Sequence, residues 1–228
     1  MKTAIVTGSS KGIGECVSKR LLTIGYKVYG ISRSVSFEQE NFIPVVCDLL
    51  DTNKLLSCID EVKRKEERID LLINNAGIGV FGPHEQLNVK GIQDMVRLNL
   101  EVPLILTNRL LRELVKSKGT IVFVSSVTAK KVSTHGCAYA ATKAGVSHFA
   151  ESLFEEVRKK DVKVTVIHPD MTKTNFYDDS DFTCEDMEKA YITPGQVADC
   201  IEFILKMGDN LAVNDITLRP QINRIKRK

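Results

Sequence analysis

The amino-acid sequence predicts an α/β fold: a doubly wound parallel sheet of about seven strands, with helices on both faces making three layers. Three observations carry this. Short β-branched or apolar runs alternate with longer amphipathic stretches along nearly the whole chain. The short runs show little polar alternation, as strands covered on both faces require. No Pro/Gly/Ser-rich linker divides the 228 residues, so one domain over 1–228 is expected, with 190–228 the least defined part.

Strands are expected at Thr3–Thr7, Lys27–Ile31, Phe42–Cys47, Ile69–Ile73, Thr120–Val124, Lys163–Ile167 and Asp215–Leu218. Helical spacing runs over Glu15–Ile24, Asn53–Glu66, Gly91–Ser117, Ala138–Lys159 and Pro194–Met207, with Pro194 suited to a first helical turn. The stretch Ser32–Asn41 is too short for a crossover helix and is expected to be a loop or a single turn.

Composition narrows the class. With 43% hydrophobic and 27% charged residues and no Trp, the chain is neither disordered nor collagenous, and it is not a disulfide scaffold. A net charge of +3 is too small to indicate a nucleic-acid partner. No apolar stretch approaches the roughly 18 residues of a membrane span, and residues 1–7 lack a basic leader, so a cytoplasmic location is expected. The six cysteines (16, 47, 58, 137, 184 and 200) form no C-x-x-C pair and are expected to be small buried hydrophobes in a reducing compartment, with no metal site.

Thr7-Gly8-Ser9-Ser10-Lys11-Gly12-Ile13-Gly14 joins the first strand to a helix. Glycines there allow a tight turn and close approach of a pyrophosphate, whose charge the helix N-terminus favours. A turn that merely needs glycine is the plainer alternative. At the carboxyl end of a strand in this alternation, the reading becomes a dinucleotide site in a Rossmann-type domain. Tyr139 and Lys143 are four residues apart at the start of a helical stretch, which puts phenol and ammonium on one face. An adjacent ammonium is expected to lower the phenol pKa from about 10 toward neutrality. Ser125 and Ser126 end the fifth strand, where loop residues face the ligand crevice.

With these residues in view, the chain resembles the short-chain dehydrogenase/reductase family, from about Thr3 to Thr174 and more loosely to Leu218. The resemblance assigns Gly8, Ser10, Lys11, Gly12, Ile13 and Gly14 to the cofactor fingerprint and Asn75, Ala76 and Gly77 to the second cofactor motif. It assigns catalysis to Asn99, Ser126, Tyr139 and Lys143, the serine standing thirteen positions and the asparagine forty positions before the tyrosine. Tyr139 would supply the proton, Ser126 would meet the carbonyl oxygen, and Lys143 would lower the tyrosine pKa and hold the nicotinamide ribose. Asn99 would bind a water linking Lys143 to solvent. Asp48, followed by Leu49, stands where the family contacts adenine, with a turn or helix cap as the alternative.

Two departures accompany the match. The family's Pro-Gly is Pro169-Asp170, followed by Thr172 and Thr174 as cofactor candidates, and the short Ser32–Asn41 segment leaves the adenosine side more open. Ser32 occupies the place of the acid that favours NAD, and Arg33 and Lys11 add positive charge suited to a 2′-phosphate, so NADP(H) is expected over NAD(H). The expected activity is hydride transfer between nicotinamide and a carbonyl or secondary alcohol. A cofactor-binding sensor or scaffold without turnover is the alternative, as is an epimerase or dehydratase using the same Tyr and Lys. The loops 79–83, 128–137 and 170–193 would choose the substrate. His135 reads as a solvent-facing loop residue, with substrate contact as its sharper alternative, and His168 as a satisfied near-core histidine. The acids between Asp178 and Glu188 read as a mobile solvated lid, with attraction of a cationic substrate as the alternative, and Arg224–Lys228 as a disordered solubilising tail. A homodimer or homotetramer through the 91–117 and 138–159 helices is expected.

Overall fold

In the computed structural model, which describes residues 1–228, the chain runs β1 (Lys2–Thr7), α1 (Gly12–Thr23), β2 (Tyr26–Ser32), β3 (Phe42–Val46), α2 (Thr52–Lys65), β4 (Leu71–Asn74) and α3 (Val89–Val96). It continues through α4 (Val102–Ser117), β5 (Thr120–Val124), α5 (Cys137–Val157), β6 (Lys163–Pro169), β7 (Phe182–Cys184), α6 (Pro194–Leu205), β8 (Asp215–Leu218) and β9 (Ile225–Arg227). Seven strands form one parallel sheet in the order β3-β2-β1-β4-β5-β6-β8. The order reverses between β1 and β4, and the crevice at their carboxyl ends is where such sheets hold ligands.

The apolar runs are continuous because each strand feeds two cores. Ile5, Leu72, Phe123 and Val166 point to one face, where Leu55 and Ile59 of α2, Leu106 and Leu110 of α4, and Val146 and Leu153 of α5 cover them. Their neighbours Ala4, Val6, Ile73 and Val122 point to the other, under Val17 and Leu21 of α1 and Val197 and Ile201 of α6. Two of these helices carry the start signals that a chain of this kind needs. Asp51 accepts from Lys54 N–H at the start of α2 (3.0 Å), and Thr193 and Gln196 close a capping box around Pro194 on α6. Ser32–Asn41 contains no helix; Phe37 folds back to stack on Phe42 at 4.1 Å.

Three expectations need correction. The helix expected over Gly91–Ser117 is interrupted by a π turn at Arg97–Glu101. Pro103 has no N–H to return to the preceding turn, and Val102 N–H instead reaches back five residues to Arg97 O. The tail is not disordered: β9 pairs antiparallel with β7, Phe182 opposite Arg227 and Cys184 opposite Ile225. The same pairing ties the tail to the acidic segment, whose acids stay mostly exposed as a solvated lid requires: Lys226 meets Asp186 at 3.1 Å and Lys228 Nζ donates to the carbonyls of Tyr177 and Asp178, both at 2.7 Å. Finally, Cys137 is exposed at the start of α5, unlike the buried Cys47 and Cys184.

Candidate active site

The crevice is assembled from strand ends. At β1 the chain turns through Gly8 (φ +68°) and Gly12 (φ +58°), conformations that other residues adopt rarely. A Cβ on Gly14 would overlap the Gly8 carbonyl oxygen and stand 2.5 Å from Asn75 Nδ2, so glycine lets α1 start directly against the strand end. Thr7 Oγ1 accepts the N–H groups of Asn75 and Ala76, both at 3.0 Å, locking the end of β4 to the end of β1. Gly12 in turn lies against Thr174, where a Cβ would come within 3.2 Å of the threonine methyl. Six of the residues assigned to cofactor binding, Gly8, Gly12, Gly14, Asn75, Ala76 and Thr174, therefore form one continuous rim.

Ser10 and Ile13 lie along the same rim, Ile13 with its side chain toward the core below α1. Lys11 and Arg33 are exposed and have no carboxylate within 4.0 Å. Ser32 Oγ joins the turn to β2 through Ser9 Oγ at 3.4 Å. Asp48 is exposed and its carboxylate accepts the Leu50 N–H (3.0 Å), the local turn that was the plainer reading. Leu49 has its side chain in the core, which leaves only its main chain for a ligand. Asp170 keeps an ordinary negative φ, continues the sheet through its N–H to Leu218 O (2.9 Å), and has Lys131 at 3.5 Å, so the freedom of the family's glycine is unused here. Thr172 is buried and donates to Asp170 O at 2.9 Å.

The four residues expected to be catalytic converge. Tyr139 and Lys143 occupy successive turns of α5 and are buried, at 7% and 5% exposure. Ser125 docks that helix onto β5, its Oγ donating to Lys143 O at 3.0 Å, whereas the hydroxyl of Ser126 accepts the Thr128 N–H at 3.2 Å and lines the same cavity as the Tyr139 phenol. Lys143 Nζ donates to Val124 O at 2.9 Å. Asn99 sits in the π turn with its amide fully used, accepting from Ile78 N (2.9 Å) and donating to Ile78 O (2.8 Å) and Thr142 Oγ1 (3.1 Å). Any water it holds would rest on its main chain. Gly77 leaves room beside both: a Cβ there would stand 3.1 Å from Asn99 Oδ1 and 3.4 Å from Lys143 Nζ.

The electrostatics overturn one expectation. Burial pushes the Tyr139 phenol up, opposed only by the nearby Ser126 hydroxyl, rather than down toward neutrality. The cause is a cage of rings: Phe81 lies 5.2 Å and Phe176 5.7 Å from Tyr139, with Phe182 5.1 Å beyond Phe81. Burial also lowers Lys143 to about 8. A lysine near 10.5 when unfolded and near 8 when folded makes the folded state bear the cost of a buried charge below about pH 8; that cost fades as pH rises from 8 to 10.5. Lys143→Met should therefore raise the melting temperature at pH 7, by a margin that shrinks through this window. A thermal-melt series at matched pH checks it, and an unchanged or lower melting temperature for the variant at pH 7 would show the charge to be well accommodated.

Above Tyr139 opens a cavity of about 460 Å³, lined by Ser126, Thr128, His135, the aromatic cage and, from β9, Ile225 and Arg227. That size suits a small-molecule ligand. Neither the cage nor β9 was foreseen, although Asn223-x-Ile225-x-Arg227 has the two-residue period that turns alternate side chains to one face. His135 is exposed at the cavity rim with φ +59°.

A parallel sheet with its crevice at a topological switch, a glycine turn at the helix start and a Tyr/Lys/Ser group above it define a Rossmann-type oxidoreductase. The sequence profile of the short chain dehydrogenase family matches residues 2–183, and the chain belongs to that family. It is 31% identical over 182 residues to a 3-oxoacyl-[acyl-carrier-protein] reductase of Buchnera aphidicola, covering 76% of this chain and 75% of that one. An alcohol dehydrogenase from Thermococcus sibiricus, solved with 5-hydroxy-NADP, superimposes with a TM-score of 0.89 at 24% identity over 98% of both chains. A metagenomic short-chain oxidoreductase solved with NADP gives a TM-score of 0.83 at 26% identity, over 97% of this chain and 98% of that one. Other fold neighbours were solved with NADH. No helix is long and apolar enough to cross a membrane.

Proposed function

We propose that this oxidoreductase is an NADP(H)-dependent carbonyl reductase or alcohol dehydrogenase, built as one domain, in which Tyr139 is the acid and base. The observation that carries the reading is the Tyr139 phenol at the floor of the cavity, lining it beside Ser126 and one helical turn from a buried Lys143. When bound, the nicotinamide would supply or accept the hydride. Gly8, Ser10, Gly12, Ile13 and Gly14 would hold the pyrophosphate, Asn75, Ala76 and Gly77 the middle of the cofactor, Pro169, Thr172 and Thr174 its nicotinamide end, and Asp48 and Leu49 the adenine. Ser126 and Tyr139 would direct hydroxyls to the substrate oxygen, and Tyr139 would give it a proton as charge develops. A phenol held neutral by burial is ready to donate. Lys143, near 8, exchanges protons at ordinary pH and would recharge Tyr139, so reduction should slow above about pH 8. Oxidation of NADPH by the enzyme with a panel of aldehydes, diketones, keto acids, sugars and pterins tests the reading; no turnover of any of them would count against it.

For the cofactor, two exposed and unpaired cations, Lys11 and Arg33, support NADPH. NADPH is expected to bind at least about tenfold more tightly than NADH, equivalent to roughly 1.4 kcal/mol, and Arg33→Ala to remove most of the difference. Titration of both cofactors at fixed ionic strength checks this, and equal affinities in the unmodified enzyme would overturn it. A homodimer or homotetramer is proposed through α4 and α5, where Leu104, Ile105, Leu111 and Phe149 remain half-buried. Sedimentation at micromolar concentration should show it, and a monomer would refute it. Six unpaired cysteines are in keeping with a cytoplasmic, reducing location.

A further inference from the structure

His168, in β6, is completely buried, yet it touches no part of the cavity. Its Nδ1 lies 3.1 Å from the main-chain oxygen of Ser126 and its Nε2 lies 2.8 Å from Asp215 Oδ2. A carbonyl oxygen can only accept, and so can an ionised carboxylate. Burial opposes the charge on Asp215, but the hydrogen bond and charge of Lys130 on its other oxygen favour the carboxylate, and its carboxyl is held below the ordinary carboxylate range. With two acceptors at its two ring nitrogens, the imidazole must donate from both, which only the imidazolium can do.

We propose that His168 is a buried imidazolium that positions Ser126 for catalysis. The proposal rests on the reading of Ser126 as a group that meets the substrate oxygen. The Ser126 carbonyl already accepts the Ala129 N–H at 3.0 Å, closing the short 3-10 turn Val127–Ala129 that follows the serine. His168 supplies the second donor to that oxygen, so both lone pairs are used and the peptide cannot rotate without losing a charge-assisted bond. The Ser126 hydroxyl is carried on the same residue and faces Tyr139. Fixing the carbonyl therefore fixes the distance between the two hydroxyls that would meet the substrate oxygen, and misplacement by about 1 Å in such groups costs up to about 100-fold in rate. The charged groups around His168 are Asp215, from β8, and Lys130, which follows the 3-10 turn and holds both Asp215 and Thr217 Oγ1 (3.2 Å). Lys130 closes the arrangement from outside and keeps Asp215 partnered if the histidine is changed.

The two ring nitrogens can be tested separately. An asparagine amide occupies the place of Nδ1 and a glutamine amide that of Nε2, so His168→Asn keeps the donor to Ser126 O, and His168→Gln keeps the donor to Asp215. His168→Asn should retain kcat within about twofold, while His168→Gln should lose about tenfold, with the KM for NADPH unchanged in both. Nitrogen-15 spectra of histidine-labelled enzyme, which has four histidines, should show one ring with both nitrogens protonated at neutral pH. That signal should vanish in either variant. A ring with one bare nitrogen, or a glutamine variant as active as the asparagine variant, would overturn the proposal. Failure of the unmodified enzyme to reduce any carbonyl would instead overturn the assigned activity, and the spectra would still decide the state of His168.

Discussion

Replacing Tyr139 by Phe is expected to lower kcat by at least about 100-fold while NADPH affinity stays nearly intact. The phenylalanine ring keeps its contacts with Phe81 and Phe176, so the cage stands and only the hydroxyl beside Ser126 is lost. That hydroxyl matters most once charge grows on the substrate oxygen, so the loss should appear in kcat rather than in cofactor binding. Steady-state kinetics with a confirmed carbonyl substrate, beside a fluorescence titration of NADPH, separates the two. A variant that keeps most of its turnover would remove Tyr139 as the acid.

Gly14→Ala is expected to be the most damaging single methyl in the chain. The added carbon would meet Gly8 O and Asn75 Nδ2, and neither neighbour can retreat: Gly8 is in the turn, and Asn75 is tied to Thr7 O at 2.9 Å. Overpacking a well-packed site costs about 1–3 kcal/mol and occasionally more, and here relief means moving α1 away from the pyrophosphate side. Stability and NADPH affinity should fall together. Gly195→Ala is the matched control, because its nearest neighbour would be Thr193 Oγ1 at 3.8 Å in the first turn of α6, where alanine gains up to about 1 kcal/mol of helix preference. Chemical denaturation of both variants checks the contrast, and a Gly14→Ala protein as stable as its parent would show that the turn can yield.

The sheet and the pairing of Tyr139 with Lys143 were legible because each rests on local spacing. The alternation of runs fixes which strands are covered on both faces, and Tyr139 and Lys143 share a helix face by geometry alone. What was not legible depends on segments meeting at long range. Phe81, Phe176 and Phe182 are unremarkable as single aromatics, and only the fold brings them around Tyr139, reversing the sign of its expected pKa shift. His168 reads as a satisfied histidine, which it is; its two partners, from the end of β5 and the start of β8, are what give it a role. The π turn had a local cause in Pro103, yet the helical periodicity of its surroundings concealed it.

The wall of the cavity formed by β7 and β9 has a consequence for how substrates enter. A ribbon of two three-residue strands is among the weakest units a protein can contain, so it should open far more often than the seven-stranded sheet unfolds. Its amide hydrogens should exchange with solvent much sooner than those of β4, β5 and β6, by local opening that leaves the nucleotide-binding half intact. Each such opening releases Phe182 from the cage over Tyr139 and exposes the phenol to bulk water. Arrival of substrate and departure of product would then follow the breathing of this ribbon, and a disulfide or tighter pairing across it would trade turnover for protection of the site.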